Sequence, residues 1–292
     1  MRLRIVSIVA AGALAVAACG GAASPTPGVP AVVVTTTVIG TVVADLVGDR
    51  AGVTVLMGNG VDPHDWSPSA KDIERVMKAD VVVANGLGLE EGLEKTLDEA
   101  EKAGVAVFRA TDHITVREVG DGEHGGGDPH FWVDPISMQD VVAALVPELA
   151  KVGVDVADRG ADLETRLADL DAETRASLAV VPDASRKLVT GHESMGYFAD
   201  RYAFELIGTV IPGLSSQGEV SAGELAALKA EIDEQGVKAI FTEIGTPTAV
   251  VEAIGQETGV EVVELPSHTL PDDGSYFSFI RQIGTGVADA LR

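Results

Sequence analysis

Residues 161–180 read Ala-Asp-Leu-Glu-Thr-Arg-Leu-Ala-Asp-Leu-Asp-Ala-Glu-Thr-Arg-Ala-Ser-Leu-Ala-Val, a stretch with neither glycine nor proline. Leu163, Leu167, Leu170 and Leu178 recur at the helical period and share one face. A helix of this length runs about 30 Å. It is either a stiff rod joining two lobes or an ordinary surface helix within one domain, and its flanks bear on that choice.

Short β-branched runs alternate with helical patterns on both sides, the mark of parallel βαβ construction. Upstream, strands are expected at Ala31–Thr35, Val53–Leu56, Asp80–Ala84 and Val105–Arg109; downstream, at Lys187–Thr190, Glu205–Val210, Val237–Thr242 and Val260–Leu265. Ser69 with Asp72, and Ser221 with Glu224, have the spacing of capping boxes, and Gly236 is placed to end the second helix. Four strands on each side give an α/β protein of two similar lobes, 31–158 and 182–292, each a parallel sheet flanked by helices. One long linker helix, 159–181, joins them.

The N-terminus is a processing signal rather than part of the fold. Arg2 and Arg4 precede an apolar run that closes on Val16-Ala17-Ala18-Cys19. That ending resembles a bacterial lipobox, which implies a signal peptide at 1–18 and lipidation of Cys19. Gly20 to Pro30, rich in Gly, Ala, Ser and Pro, reads as a flexible tether within 19–30. Cys19 is the sole cysteine, so a mature metal site must use His, Asp or Glu. The net charge is −24; without the signal's two arginines, 19 basic side chains face 45 acidic ones, or −26. Such a chain repels nucleic acid and anionic lipid, leaving the lipid anchor as its one expected tie to the membrane.

Four of the six histidines carry the strongest chemical signal. The pattern Asp-Pro-His-x-Trp occurs twice, at Asp62 to Trp66 and Asp128 to Trp132, presenting His64 and His130 from loops that proline stiffens. Asp62 and Asp128 are candidate acceptors for the imidazole N–H turned away from a metal. Trp66 and Trp132, each two positions after a candidate ligand, are both expected against the site. His192 follows the strand ending at Thr190, and His268 the strand ending at Leu265, where ligands gather in open α/β sheets. Gaps of 66, 62 and 76 residues exclude a local finger or a helical His-Glu-x-x-His motif, so only the fold can unite them. Imidazole suits zinc, whereas manganese and magnesium prefer oxygen.

The stretches Gly60-Val61-Asp62-Pro63-His64, Asn85-Gly86-Leu87-Gly88-Leu89-Glu90, Asp128-Pro129-His130-Phe131-Trp132-Val133-Asp134-Pro135, and His192 ahead of Gly196-Tyr197-Phe198 run through the chain in order. Together they resemble the metal-ion cluster of ABC-transporter solute-binding proteins, which bind zinc or manganese. The resemblance implies a metal cleft between the lobes and a monomer on the outer face of the cell membrane or in a periplasm. It also implies handover of the ion to an ABC permease and its ATPase. His64, His130 and His192 match the first three family ligands. His268-Thr269-Leu270 stands where the fourth is usually acidic, so His268 is expected to complete a Zn(II) site with Glu243 behind it. Glu243 or Glu264 as ligand, Asp272 or Asp273 from the next loop, or water with His268 exposed, are alternatives. The segment Gly120 to Asp128, with five glycines and only His124, is short beside the His-rich loop of zinc-specific relatives.

Two other readings compete. A manganese- or iron-binding member of the same family would use oxygen at the fourth position. A zinc-dependent hydrolase would use His192 with Glu193 as base, but Gly196 stands where the second ligand of such a helix belongs, and four histidines would leave no place for water.

Overall fold

The computed structural model describes residues 28–120 and 126–292; Cys19, His124 and most of the expected tether lie outside them. In chain order the elements are β1 (Ala31–Val34), α1 (Thr37–Val47), β2 (Gly52–Val55), α2 (Ala70–Met77), β3 (Val81–Ala84), α3 (Glu94–Lys102), β4 (Ala106–Arg109), β5 (Glu118–Val119), β6 (Gly126–Gly127), α4 (Pro135–Lys151) and α5 (Ala157–Ser177). They continue with β7 (Lys187–Thr190), α6 (Gly196–Tyr202), β8 (Glu205–Thr209), α7 (Ala222–Gln235), β9 (Ala239–Thr242), α8 (Thr248–Thr258), β10 (Glu261–Glu264) and α9 (Tyr276–Leu291).

The first sheet has order β2-β1-β3-β4 and the second β10-β9-β7-β8, every pairing parallel. Counted within each lobe, both orders are 2-1-3-4. The chain therefore reverses direction between β1 and β3 in one lobe and between β7 and β9 in the other, and such a switch opens a crevice at the strands' carboxyl ends.

The strands read as continuous apolar runs because both faces are covered. In the first sheet Val32, Val34, Val81 and Val83 face the centre of the molecule, while Val33, Val82 and Ala84 pack outward against Val76, Leu93 and Leu97. The inner faces of both sheets share a single apolar cluster with α1, α4, α5 and α9. Both expected capping boxes are formed, on α2 and α7, and Gly236 ends α7 in the left-handed conformation.

The linker helix α5 begins at Ala157, two residues before its expected start at 159, and its last turn tightens into a 3-10 helix over Leu178–Val180. Gly160 lies inside it because α4 passes close by: a Cβ there would stand 2.5 Å from Val146 Cγ2. Packing thus overrides glycine's helix cost of about 1 kcal/mol. The antiparallel hairpin β5–β6 is not foreseen by hydrophobic pattern, being four residues of paired backbone of which two are glycine. It brackets the segment 121–125 and leads directly into Asp128.

Candidate metal centre

His64, His130 and His192 come from three separate loops and converge. His64 Nε2 and His192 Nε2 lie 3.2 and 3.1 Å from His130 Nε2. One ligand nitrogen from each residue lies within 4.8 Å of the others, the one such group of His, Cys, Asp or Glu among the described residues. Nitrogens bound tetrahedrally to one zinc ion at 2.0–2.1 Å would be about 3.3–3.4 Å apart. The three rings are therefore already spaced to share an ion.

His130 is wholly buried, and Asp128 fixes it twice: Oδ1 accepts the backbone N–H at 2.9 Å and stands 2.8 Å from Nδ1. A carboxylate can only accept, so Nδ1 carries the proton and Nε2 offers its lone pair to the cluster. Asn85 Nδ2 donates to Pro129 O at 2.9 Å and holds the same loop from β3. His192 stands at the β7–β9 switch point, with Nδ1 2.9 Å from Glu243 Oε1 at the end of β9. Ser194 Oγ donates to that oxygen at 2.6 Å.

The two halves of the repeat differ. Asp62 was expected to accept from the His64 ring; instead Oδ1 accepts the His64 backbone N–H at 3.0 Å, and Oδ2 accepts from Ser216 Oγ at 2.6 Å in the opposite lobe. Asp62 thus orders the loop and bridges the cleft. The tryptophans diverge too. The Trp132 ring lies 5.2 Å from both His130 and His268, whereas Trp66 packs against the outward cluster of the first sheet. Only Trp132 lies against the site.

His268 is buried beside the triad but is not part of its convergence. Its ring centroid is 6.4 Å from that of His64, against 4.9 to 5.4 Å within the triad, and its buried Nε2 has no hydrogen-bond partner among the described residues. Of the alternative carboxylates, Glu243 faces the far side of His192. Glu264 is exposed, as is Asp272, and Asp273 accepts from Ser275 N–H and Ser278 Oγ at the start of α9.

Electrostatics separates the imidazoles. Burial, and then His192, holds His64 down at about 4. The same two causes, with His64, hold His130 well below the ordinary histidine value. Burial, with His192 and His130, lowers His268 to about 3, against the pull of Glu243. Burial would lower His192 as well, but the Glu243 carboxylate raises it. Burial in turn would raise Glu243, which His192 and Ser194 instead draw down to about 2. Burial raises Asp128 to about 6 despite Arg117 and the His130 N–H. The pocket thus holds His64, His130 and His268 neutral and sets two buried carboxylates, Asp128 and Glu243, behind His130 and His192, a place for a single cation.

Residues 32–290 match the family described as ZnuA, zinc-uptake complex component A, periplasmic. The chain belongs to the ZnuA family. It is 31% identical over 255 residues to the zinc-binding protein TroA of Treponema pallidum, covering 86% of this chain and 80% of TroA. It is 30% identical over 253 residues to the manganese-binding lipoprotein MntA of Bacillus subtilis, covering 85% and 80%. The solved structure of the periplasmic zinc-binding TroA superposes with a TM-score of 0.80 at 29% identity, over 90% of this chain and 99% of that one. As a ZnuA-family member the chain is a solute-binding protein for ABC import and not an enzyme, and its His64–His130–His192 site binds a divalent metal.

Sequence reading missed several residues of this ZnuA-family site. Asn59 clamps the His268 loop, with Oδ1 accepting Leu270 N–H at 2.6 Å and Nδ2 donating to Leu270 O at 3.0 Å. Trp132, expected against the site, also donates from Nε1 to Ser267 O at 2.9 Å and ties the same loop to the first lobe. Ser194 and Arg117 also act through partners distant in sequence, so no local pattern marks them.

Proposed function

We propose that this ZnuA-family protein carries Zn(II), captured by His64, His130 and His192 with His268 closing the shell, and delivers it to an ABC permease with its ATPase. The observation that carries the reading is the donor set: three imidazole nitrogens converge while the carboxylates Asp128 and Glu243 stand behind His130 and His192. Oxygen donors would favour manganese, and here they are one residue removed from the ion. His268 supports the fourth place because its buried Nε2 lacks a partner among the described residues and its ring lies beside that of His64, 6.4 Å between centroids. Manganese, the ion named for MntA of Bacillus subtilis, remains the second reading.

The decisive comparison is His268→Ala against His268→Asp. Alanine is expected to weaken zinc binding by about 100-fold; aspartate should restore much of it and improve manganese relative to zinc. Parental zinc binding by both variants would remove His268 from the shell.

The lobes are proposed to divide as 31–158 and 182–292 about the helix, with lipidated Cys19 holding the chain at the outer face of the membrane. No helix among the described residues is long and apolar enough to cross a bilayer. Cys19→Ala should move the protein from the detergent phase to the aqueous phase, and retention at parental levels would exclude the anchor. Two or three acyl chains give stable attachment where one is marginal.

A further inference from the structure

Helix α6 belongs to the second lobe by sequence, following His192, yet it is anchored on the first. The Tyr197 hydroxyl sits between two backbone groups of the opposite lobe: it donates to Asp128 O at 3.0 Å and accepts the Arg117 N–H at 2.9 Å. The Arg117 guanidinium lies against Gly196, where any Cβ would collide with it. From there its Nη1 donates to Asp128 Oδ2 at 3.3 Å and its Nε to Asp200 Oδ2 at 3.1 Å. Asp128 is also the residue that fixes the His130 ring through its other carboxylate oxygen. One carboxylate therefore meets a metal ligand on one side and the cross-lobe contact on the other.

We infer that Arg117 and Tyr197 form a latch that holds the cleft shut and sets how fast the metal leaves, acting as positioning residues through Asp128. The inference rests on the divalent-metal site described above, and holds for zinc or manganese. Its energetics point to Tyr197 and the Asp128 arm. Tyr197 is only 5% exposed, so its two hydrogen bonds have no ready replacement by water, whereas the Asp200 carboxylate is largely exposed and such pairs contribute little. A residue behind a metal ligand commonly changes affinity by about 10–100-fold. Here the change should fall on dissociation, because the latch closes only once the lobes have met.

A second cross-lobe contact provides the comparison. Arg201 of α6 binds Asp134 with two hydrogen bonds of 2.8 Å, one to each carboxylate oxygen, and touches no partner of a ligand. If Arg117 and Tyr197 act on the metal through Asp128, their loss must affect release differently from loss of this pair.

The test is stopped-flow release of zinc, and separately manganese, to a chelator from the mature protein. Tyr197→Phe, which keeps the ring, and Arg117→Gln are each expected to speed release about tenfold with association within about twofold of parent. The double variant should be no faster than about the faster single, because both remove one device. Arg201→Ala should lower thermal stability and leave release within about twofold. Parental release rates in Tyr197→Phe and Arg117→Gln, strictly multiplicative effects, or equal acceleration by Arg201→Ala would each overturn the latch. A parent chain that holds neither metal would instead defeat the carrier reading itself.

Discussion

Replacing His130 by alanine is expected to abolish metal capture, with affinity falling by well over 100-fold, the upper range for losing a residue merely behind a ligand. His130 is the hub of the triad, since its Nε2 is within 3.2 Å of both other ligand nitrogens. The variant also leaves Asp128 without its ring partner in a fully buried place, so the metal-free protein should lose stability as well. Isothermal calorimetry with zinc and with manganese reads the first effect, thermal denaturation the second. Binding within about tenfold of parent would show that the triad is not the site.

Metal capture near neutral pH is expected to release about one proton, not three. His64, held at about 4, and His130, held lower, are already free of protons there. His192, raised by Glu243, is the imidazole whose proton the metal must displace. Affinity should therefore fall about tenfold per pH unit once pH drops below the raised value of His192, and more steeply below about pH 4 as His64 begins to protonate. Calorimetry in buffers of different ionisation enthalpy counts the protons. A count near three would show that burial does not hold His64 and His130 neutral, and a flat response from pH 7.5 to 5 would show that His192 carries no proton for the metal to displace.

Folding linkage carries both signs. For His64, His130 and His268, with folded values depressed, the unfolded chain binds protons near pH 6.5 that the fold refuses. Their contribution is present above that value and lost as pH falls. For raised His192 the contribution is present below pH 6.5 and lost as pH rises through its folded value.

The eight sheet strands were legible in the sequence to within two residues at each end, because strands buried on both faces are written as unbroken runs such as Val81 to Ala84. The capping boxes were legible because Ser69 and Ser221 act on neighbours three residues away. The triad was legible because proline and strand ends flag His64, His130 and His192 separately. What the sequence did not carry is set by distance along the chain. Nothing near Gly160 in the chain announces the close approach of Val146 of α4, and Asp62 reads as a twin of Asp128 until Ser216 claims its second oxygen. Trp66 shares a motif position with Trp132, yet the two face different clusters because one loop leads to α2 and the other to α4.

The apolar cluster shared by both sheets bears on how such a protein can be rearranged. Leu163, Leu167 and Leu170 of α5 and Ile280, Ile283 and Val287 of α9 belong to one interior, and Tyr276 at the start of α9 donates its hydroxyl proton to Trp132 O of the first lobe at 2.8 Å. A half cut free at the linker would carry such side chains into water, at about 1.5–3 kcal/mol for each large one. The repeat of topology therefore does not make the lobes separable modules: neither could be lent to another protein or shed by proteolysis as an intact folding unit.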